Sequence, residues 1–220
     1  MLPETFEANY VAVEGVIGVG KTSFAQMLAD RVTAELVREE VFENPFLVDF
    51  YKNRKRYALS CQLFFLISRY QQQQQLMVRD LFAQRIVSDY MFAKDSIFAS
   101  INLSERELAL YNRIAPILAR DIPPPDLVIY LQASTPVLLD RIRNRNYSFE
   151  KSIDLDYLKL LNNAYDYYFF HYTETPLLVV KTDEIDFVNN LEHLDDLIDQ
   201  IHKPVAGKKY YVPAAGLAAR

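Results

Sequence analysis

Apolar residues follow two alternating patterns along the chain: short continuous runs, and longer stretches with an apolar residue every three or four positions. The short runs predict buried strands at 10–13, 34–38, 85–88, 126–132 and 176–180. The longer stretches predict helices at 22–32, 44–51, 57–82, in segments ending at 120, and at 135–145, 154–172 and 191–201. Strands that alternate with helices indicate a three-layer α/β fold with a five-stranded parallel sheet and helices on both faces.

The pattern continues without a break that would divide the chain. There is no internal repeat and no Gly/Ser-rich linker, and 220 residues suit one domain with a full core. Pro204 ends the last helix, and the residues after it have little hydrophobic periodicity. We therefore predict a single domain over 1–203 and a flexible C-terminal tail over 204–220.

Composition and charge narrow the class of partner. The net charge is −5 and no basic block is present, so we expect no nucleic-acid partner. The single cysteine, Cys61, excludes an internal disulfide and favours a reducing cytoplasm. The polar N-terminus resembles no signal peptide, and the longest strongly apolar run, 63–67, is too short to span a bilayer. We expect a cytoplasmic protein with a small anionic ligand and no membrane partner.

The segment between the first strand and the first helix has the sequence GVIGVGKT, which fits G-x-x-x-x-G-K-[ST]. Gly18 and Gly20 allow successive N–H groups to face phosphate oxygens, and the following helix N-terminus adds partial positive charge. Lys21 can reach the outer phosphates and the Thr22 hydroxyl can hold Mg²⁺. The candidate residues for binding ATP are therefore Gly15, Val16, Ile17, Gly18, Val19, Gly20, Lys21 and Thr22.

Acidic residues follow the second and third predicted strands. Ligands of parallel sheets bind at the carboxyl ends of the strands, so Glu39, Glu40 and Asp89 are expected near the phosphate loop. Glu39 or Glu40 could accept the proton of an attacking hydroxyl, and their spacing leaves the choice open. Asp89 is a candidate metal ligand with Thr22. The alternative for Glu39 and Glu40 is an exposed pair of loop carboxylates, and the alternative for Asp89 is a helix cap.

Polar residues interrupt two of the predicted helices. Gln62 and Arg69 lie seven residues apart on one helical face, where a nucleobase edge would pair with both. The alternative is that they meet other side chains in the core. Arg141 and Arg145 share a face and could close over transferring phosphates, with Arg143 beside them. The alternative for these arginines is a solvated helix end.

Taken together, these segments resemble the deoxynucleoside kinase family, in particular its bacterial deoxyadenosine/deoxyguanosine kinases. The likeness covers most of residues 10 to 180. It lies in EGVIGVGKT, REEVFENPF, FYKNRKRYALSCQLFFLISR, DLVIYLQAS and RIRNRNYSFE. The glycine-rich loop is generic, whereas the series Glu39, Tyr51, Gln62 and Arg69 is specific.

The resemblance implies a P-loop kinase fold with an arginine-rich lid, formation of a homodimer and a role in nucleotide salvage. It implies transfer of the γ-phosphoryl group of ATP, with Mg²⁺, to the 5′-hydroxyl of a deoxynucleoside. By position, it selects Glu39 as the base that activates this hydroxyl, and Lys21, Arg141 and Arg145 as its catalytic cations. The substrate-binding residues that it implies are Glu39, Tyr51, Gln62, Arg69, Asp95 and Glu150.

The sequence departs from the family pattern at the end of the third strand. The family has Asp/Glu-Arg-Ser there, whereas this chain has Asp89, Tyr90 and Met91, so an arginine near the 5′-hydroxyl is missing. A later lid arginine is replaced by Tyr147. Lys94 lies four residues after Tyr90 and could supply the lost cation, the alternative being a solvated lysine.

These residues leave two alternative functions open and predict a preference for one class of nucleobase. A nucleoside monophosphate kinase would need additional fixed cations, and a catalytically weak regulatory subunit is the interpretation that Tyr90 favours. Gln62, Arg69 and Asp95 together suit a base with an extended edge of acceptors and an exocyclic amine. We therefore predict deoxyadenosine or deoxyguanosine as substrate, deoxycytidine next and thymidine poor.

Overall fold

The computed structural model describes residues 8–79, 85–145, 147, 153–188 and 190–213. Within these ranges the chain forms a sheet of six parallel strands in the order β2-β3-β1-β4-β5-β6. The strands are β1 (Tyr10–Gly15), β2 (Glu35–Val37), β3 (Ile86–Ser88), β4 (Leu127–Gln132), β5 (Leu177–Lys181) and β6 (Lys208–Tyr211). Helices flank the sheet, which confirms the predicted α/β class.

The predicted strand number of five was wrong, because the sixth strand lies within the predicted tail. β6 consists of Lys208, Lys209, Tyr210 and Tyr211, and it pairs with β5 from Leu177 to Val180. It is an edge strand whose residues are half-buried or exposed. β6 is held in place by backbone pairing with β5. Such pairing leaves no hydrophobic pattern in the sequence, so the strand was not predicted. Residues 214–220 of the predicted tail lie outside the described residues.

Eight α-helices and one 3₁₀ turn (Val41–Glu43) lie in the described ranges. The helices are α1 (Lys21–Val32), α2 (Leu47–Lys52), α3 (Arg54–Arg79), α4 (Lys94–Asn102), α5 (Glu105–Ala119), α6 (Thr135–Arg145), α7 (Leu155–His171) and α8 (Leu191–His202). None of them is both long and apolar enough to cross a membrane.

The centre of the sheet carries the core. Val11, Ala12 and Val13 of β1 and Val128 and Ile129 of β4 are completely buried, as expected for parallel strands covered on both faces. The aromatic face of α7 packs onto β4, where the ring centroids of Tyr130 and Phe169 are 4.3 Å apart. This rigid centre fixes the position of the loop that follows β1.

The strand register brings the candidate residues to one edge of the sheet. Ala12 of β1 and Val37 of β2 both lie opposite Ser88 of β3, so the three strands end close together. The segments that leave these ends contain the phosphate loop, Glu39 and Asp89.

The long helix α3 carries a buried polar stripe toward this edge. Asn53 separates α3 from α2, so the helix begins three residues before its predicted start. Gln62, Arg69 and Gln73 are 5%, 3% and 1% exposed, at spacings of seven and four residues that share one helical face. Buried polar side chains need partners, and those of Gln62 and Arg69 are supplied by the site described below.

Candidate active site

A cavity of about 550 Å³ opens at the carboxyl ends of β1, β2 and β3. The predicted site residues that line it are Ile17, Gly18, Gly20, Lys21, Thr22, Glu39, Tyr51, Gln62, Arg69, Asp89, Arg141 and Arg145. Among the described residues predicted for the site, those outside its lining are Gly15, Val16, Val19, Asp95 and Arg143. Glu150 lies outside the described residues. The structure thus gathers most of the predicted set around one cavity.

The phosphate loop has the conformation that its glycines were expected to allow. Gly18 has a φ of 87°, and a Cβ there would lie 2.9 Å from the carbonyl oxygen of Leu138. Lys21 folds back over the loop and donates from Nζ to the carbonyl oxygen of Gly15 at 2.7 Å. Burial and the positive charge of Lys94 lower the pKa of Lys21 to about 8. Its ammonium remains largely protonated at neutral pH and faces the cavity.

Asp89, which follows β3, accepts hydrogen bonds from the segments that follow β1 and β2. Its Oδ2 accepts a hydrogen bond from the Thr22 hydroxyl at 2.5 Å, and its Oδ1 accepts one from the Glu39 backbone N–H at 2.7 Å. A hydroxyl and a carboxylate beside a phosphate loop are hard oxygen ligands of the type that Mg²⁺ shares with a nucleotide. Within the described ranges, no three His, Cys, Asp or Glu side chains cluster to hold a metal by themselves.

Glu39 lies between two buried cations. Its Oε1 accepts from Arg69 Nε at 2.9 Å and from the terminal Arg69 NH2 at 2.5 Å. Its Oε2 accepts from Lys94 Nζ at 2.6 Å. Burial raises the pKa of Glu39, but the charges of Lys94 and Arg69 outweigh burial and hold that pKa at about 2. Glu39 is therefore an ionised carboxylate at the edge of the cavity.

Glu40 occupies a different environment from Glu39. Its side chain is exposed and lines a separate groove of about 240 Å³ on the outer side of α3. Of the two carboxylates that the spacing left open, the geometry brings Glu39 alone into the main cavity.

Gln62, Arg69 and Asp95 form the inner end of the site. Gln62 donates to the backbone oxygen of Asp95 at 2.9 Å. Arg69 donates to Asp95 Oδ1, and Tyr111 donates to Asp95 Oδ2 at 2.8 Å. Both carboxylate oxygens of Asp95 thus have protein partners, and Asp95 orients Arg69 from behind. The guanidinium of Arg69 also lies 4.9 Å from the ring centre of Phe65, which lines the cavity.

The predicted lid arginines differ in position. Arg141 is half-buried and donates to Val19 O at 3.1 Å and to Thr182 O at 2.6 Å. It therefore ties α6 to the phosphate loop and to the segment after β5. Arg145 lies 4.7 Å over the ring of Tyr147, whereas Arg143 is exposed. The role of these arginines at a bound phosphate stays a prediction.

The tyrosine at the position of the missing family arginine turns away from the cavity. Tyr90 is fully buried and donates to Gln72 Oε1 at 2.9 Å on α3. Lys94, which the sequence allowed as a substitute or as a solvated lysine, is 5% exposed and lines the cavity. The solvated alternative was wrong, since a buried ammonium with a carboxylate partner is not a surface group.

Several residues around the site were not indicated by the sequence, and among them are Tyr111, Thr182 and Glu14. Tyr111 and Thr182 leave no trace in the pattern, because their partners Asp95 and Arg141 are on distant segments. Glu14 could have been noticed as a charge at the end of an apolar strand. It is completely buried, accepts from Met91 N at 2.8 Å, and burial raises its pKa.

Comparison with known proteins agrees with this arrangement. The family model of deoxynucleoside kinases matches residues 11–206. A deoxyguanosine kinase of Bacillus subtilis (strain 168) is 37% identical over 190 residues, covering 83% of this chain and 91% of the relative. A deoxyadenosine kinase of Dictyostelium discoideum is 36% identical over 167 residues, covering 74% and 67%.

A solved structure shares the fold. The deoxyadenosine kinase of M. mycoides with bound dCTP superposes with a TM-score of 0.76 at 24% identity, covering 87% of this chain and 97% of that one. The family model matches most of the chain, both relatives exceed 30% identity, and the fold is shared. The chain belongs to the deoxynucleoside kinase family.

Proposed function

We propose that this kinase transfers the γ-phosphoryl group of ATP to the 5′-hydroxyl of a purine deoxynucleoside, as a step of nucleotide salvage. The observation that carries the proposal is the single cavity in which Lys21 and Glu39 meet. Lys21 supplies the cation of the phosphate loop, and Glu39 supplies a carboxylate. Gln62 and Arg69 line the inner end of the same cavity. A phosphate donor and a nucleoside can then meet at the position of Glu39.

The side chains suit the separate demands of the reaction. Lys21 and the lid arginines stabilise negative charge on the phosphates, and Glu39 accepts the proton of the 5′-hydroxyl. Thr22 and Asp89 would hold Mg²⁺, which supplies charge neutralisation on the nucleotide oxygens when bound. Tyr51 and Glu150 are assigned to the 3′-hydroxyl by the family resemblance.

The purine preference rests on the inner end of the site. Gln62 offers one donor and one acceptor, and Arg69 adds donors that Asp95 and Glu39 hold in place. The larger Watson–Crick and N7 edge of a purine provides more partners for this set than thymine does. The relatives above 30% identity are named deoxyguanosine and deoxyadenosine kinases, which supports the same choice.

We expect kcat/KM, measured by coupled ADP release with ATP, to be highest for deoxyadenosine or deoxyguanosine. Deoxycytidine should follow and thymidine should be poor, because unpaired buried polar groups penalise the wrong base. A thymidine value above both purine values would contradict the ranking. The same assay with deoxynucleoside monophosphates tests the alternative kinase class, and turnover of no acceptor at all would favour a regulatory subunit.

We propose further that the kinase is a cytoplasmic homodimer, which the family resemblance supports. Helices α3 and α5 contact each other and expose Ile67, Leu110 and Ile117, so apolar area is available there for a second copy. Light scattering should give about twice the chain mass of 25.6 kDa. A monomer mass at assay concentrations would contradict the dimer.

A further inference from the structure

Lys94 is a buried cation whose position the reaction described so far does not explain. Its side chain is 6% exposed, at the first residue of α4, and its Nζ lies 2.6 Å from Glu39 Oε2. Burying an ammonium is costly unless it is paired, and lysines are among the residues least often buried. The ion pair with Glu39 compensates the burial of the Lys94 ammonium.

The surroundings of Lys94 are those of the reacting groups. It lines the same cavity as Lys21, Thr22 and Asp89. Its charge also acts on Lys21, whose pKa it helps to lower, and on the buried Glu14. The two ammonium groups repel each other although the carboxylates of Glu14, Glu39 and Asp89 lie near them, and an additional anion placed between the ammonium groups would be attracted by both. The phosphoryl group between donor and acceptor is such an anion.

On the basis of the proposed function, we propose that Lys94 is a catalytic residue that exchanges its contact with Glu39 for the transferring phosphoryl group. Before transfer, Lys94 and Arg69 keep Glu39 ionised and oriented. During transfer, Glu39 takes the proton of the 5′-hydroxyl, the 5′-oxygen forms a bond to the γ-phosphorus, and the bond from that phosphorus to the bridging oxygen of ADP breaks.

The two parts of this exchange support each other. Protonation removes the charge of Glu39, so the Lys94 contact weakens when negative charge on the phosphoryl oxygens has to be stabilised. Because Lys94 and Glu39 line the same cavity, the ammonium that leaves the carboxylate stays beside the reacting groups. Tyr90 cannot take this part, because its side chain faces Gln72 and carries no positive charge.

Three substitutions at Lys94 test the proposal, with the exposed Lys159→Met as matched control. Lys94→Met should lower kcat with deoxyadenosine or deoxyguanosine by about 10²–10³-fold, the range for loss of one charge-stabilising donor. Lys94→Arg keeps the charge and should stay within about tenfold of the parent kcat. Lys94→Gln keeps a hydrogen bond to Glu39 without the charge, so it should resemble the methionine variant and remains informative if that variant fails to fold.

A split between kcat and KM separates catalysis from mere support of the fold. Lys94 is proposed to contact the phosphoryl group only during transfer, so Lys94→Met and Lys94→Gln should lower kcat and leave KM for the deoxynucleoside within about threefold of the parent value. Lys94→Arg and Lys159→Met should leave KM within the same range, and thermal unfolding checks that each variant is folded.

Each outcome decides between the two proposals. A folded Lys94→Gln with unchanged kcat overturns the role of Lys94 while the parent enzyme still phosphorylates deoxynucleosides. Failure of Lys94→Arg to rescue kcat, with normal thermal unfolding, also overturns it. A parent enzyme that phosphorylates no deoxynucleoside overturns the proposed function, and the role of Lys94 with it.

Discussion

Lys21→Ala is expected to lower kcat by about 10³-fold or more while the protein stays folded. Lys21 carries the positive charge of the phosphate loop, and its Nζ contacts only backbone oxygens of that loop, those of Gly15 and Val16, among the described residues. Alanine removes this charge from the face of the cavity where the donor phosphates are proposed to bind. Lys21 is the one basic residue in the loop sequence GVIGVGKT, so no neighbour in the loop can replace its charge.

Stability should change much less than activity. Burial and the charge of Lys94 lower the pKa of Lys21 to about 8, which means that the folded protein disfavours its charged form relative to the unfolded chain. Removing this ammonium relieves that cost and offsets the two lost hydrogen bonds. The measurements are coupled ADP release and thermal unfolding, with the exposed Lys55→Ala as control. Loss of cooperative unfolding together with activity would show that Lys21 serves the fold instead.

The sequence predicted best those parts of the molecule that depend on local pattern. The strand at 126–132 and the loop at 15–22 are fixed by continuous apolarity and by glycine spacing, and the structure shows β4 and a left-handed Gly18 there. The face shared by Gln62 and Arg69 also follows from helical geometry alone. Such features need no knowledge of distant segments.

The remaining features depend on partners that are far away in sequence. β6 has no apolar pattern because its order comes from pairing with β5. Lys94 meets Glu39 across 55 positions. A lysine at the start of a helix is usually solvated, so only the packing of α4 against α3 and the contact of Lys94 with Glu39 reveal it as buried. The choice between Glu39 and Glu40 likewise needed the direction of each side chain.

Glu39→Gln is expected to lower kcat by about 10²–10⁴-fold, the usual contribution of a general base. Glutamine has nearly the same shape and can still accept from Arg69, but it cannot take the proton of the 5′-hydroxyl. Glu40→Gln is the matched control, because Glu40 is exposed in a separate groove. Its kcat should stay within about twofold of the parent value, as is usual for surface substitutions. Equal losses at the two positions would remove Glu39 from its role as the base.

The same substitution should also destabilise the protein, in a way that separates charge pairing from catalysis. Glu39→Gln leaves Lys94 without the carboxylate that balances its buried charge, which should cost about 1–3 kcal/mol of unfolding free energy. Arg69 keeps Asp95 as an anionic partner, so the cost arises mainly at Lys94. Adding Lys94→Met to Glu39→Gln should restore stability, because the unpaired ammonium is gone, but kcat should stay low because no base is present. A double variant that recovers activity, or that is less stable than Glu39→Gln alone, would contradict the paired arrangement of these two residues.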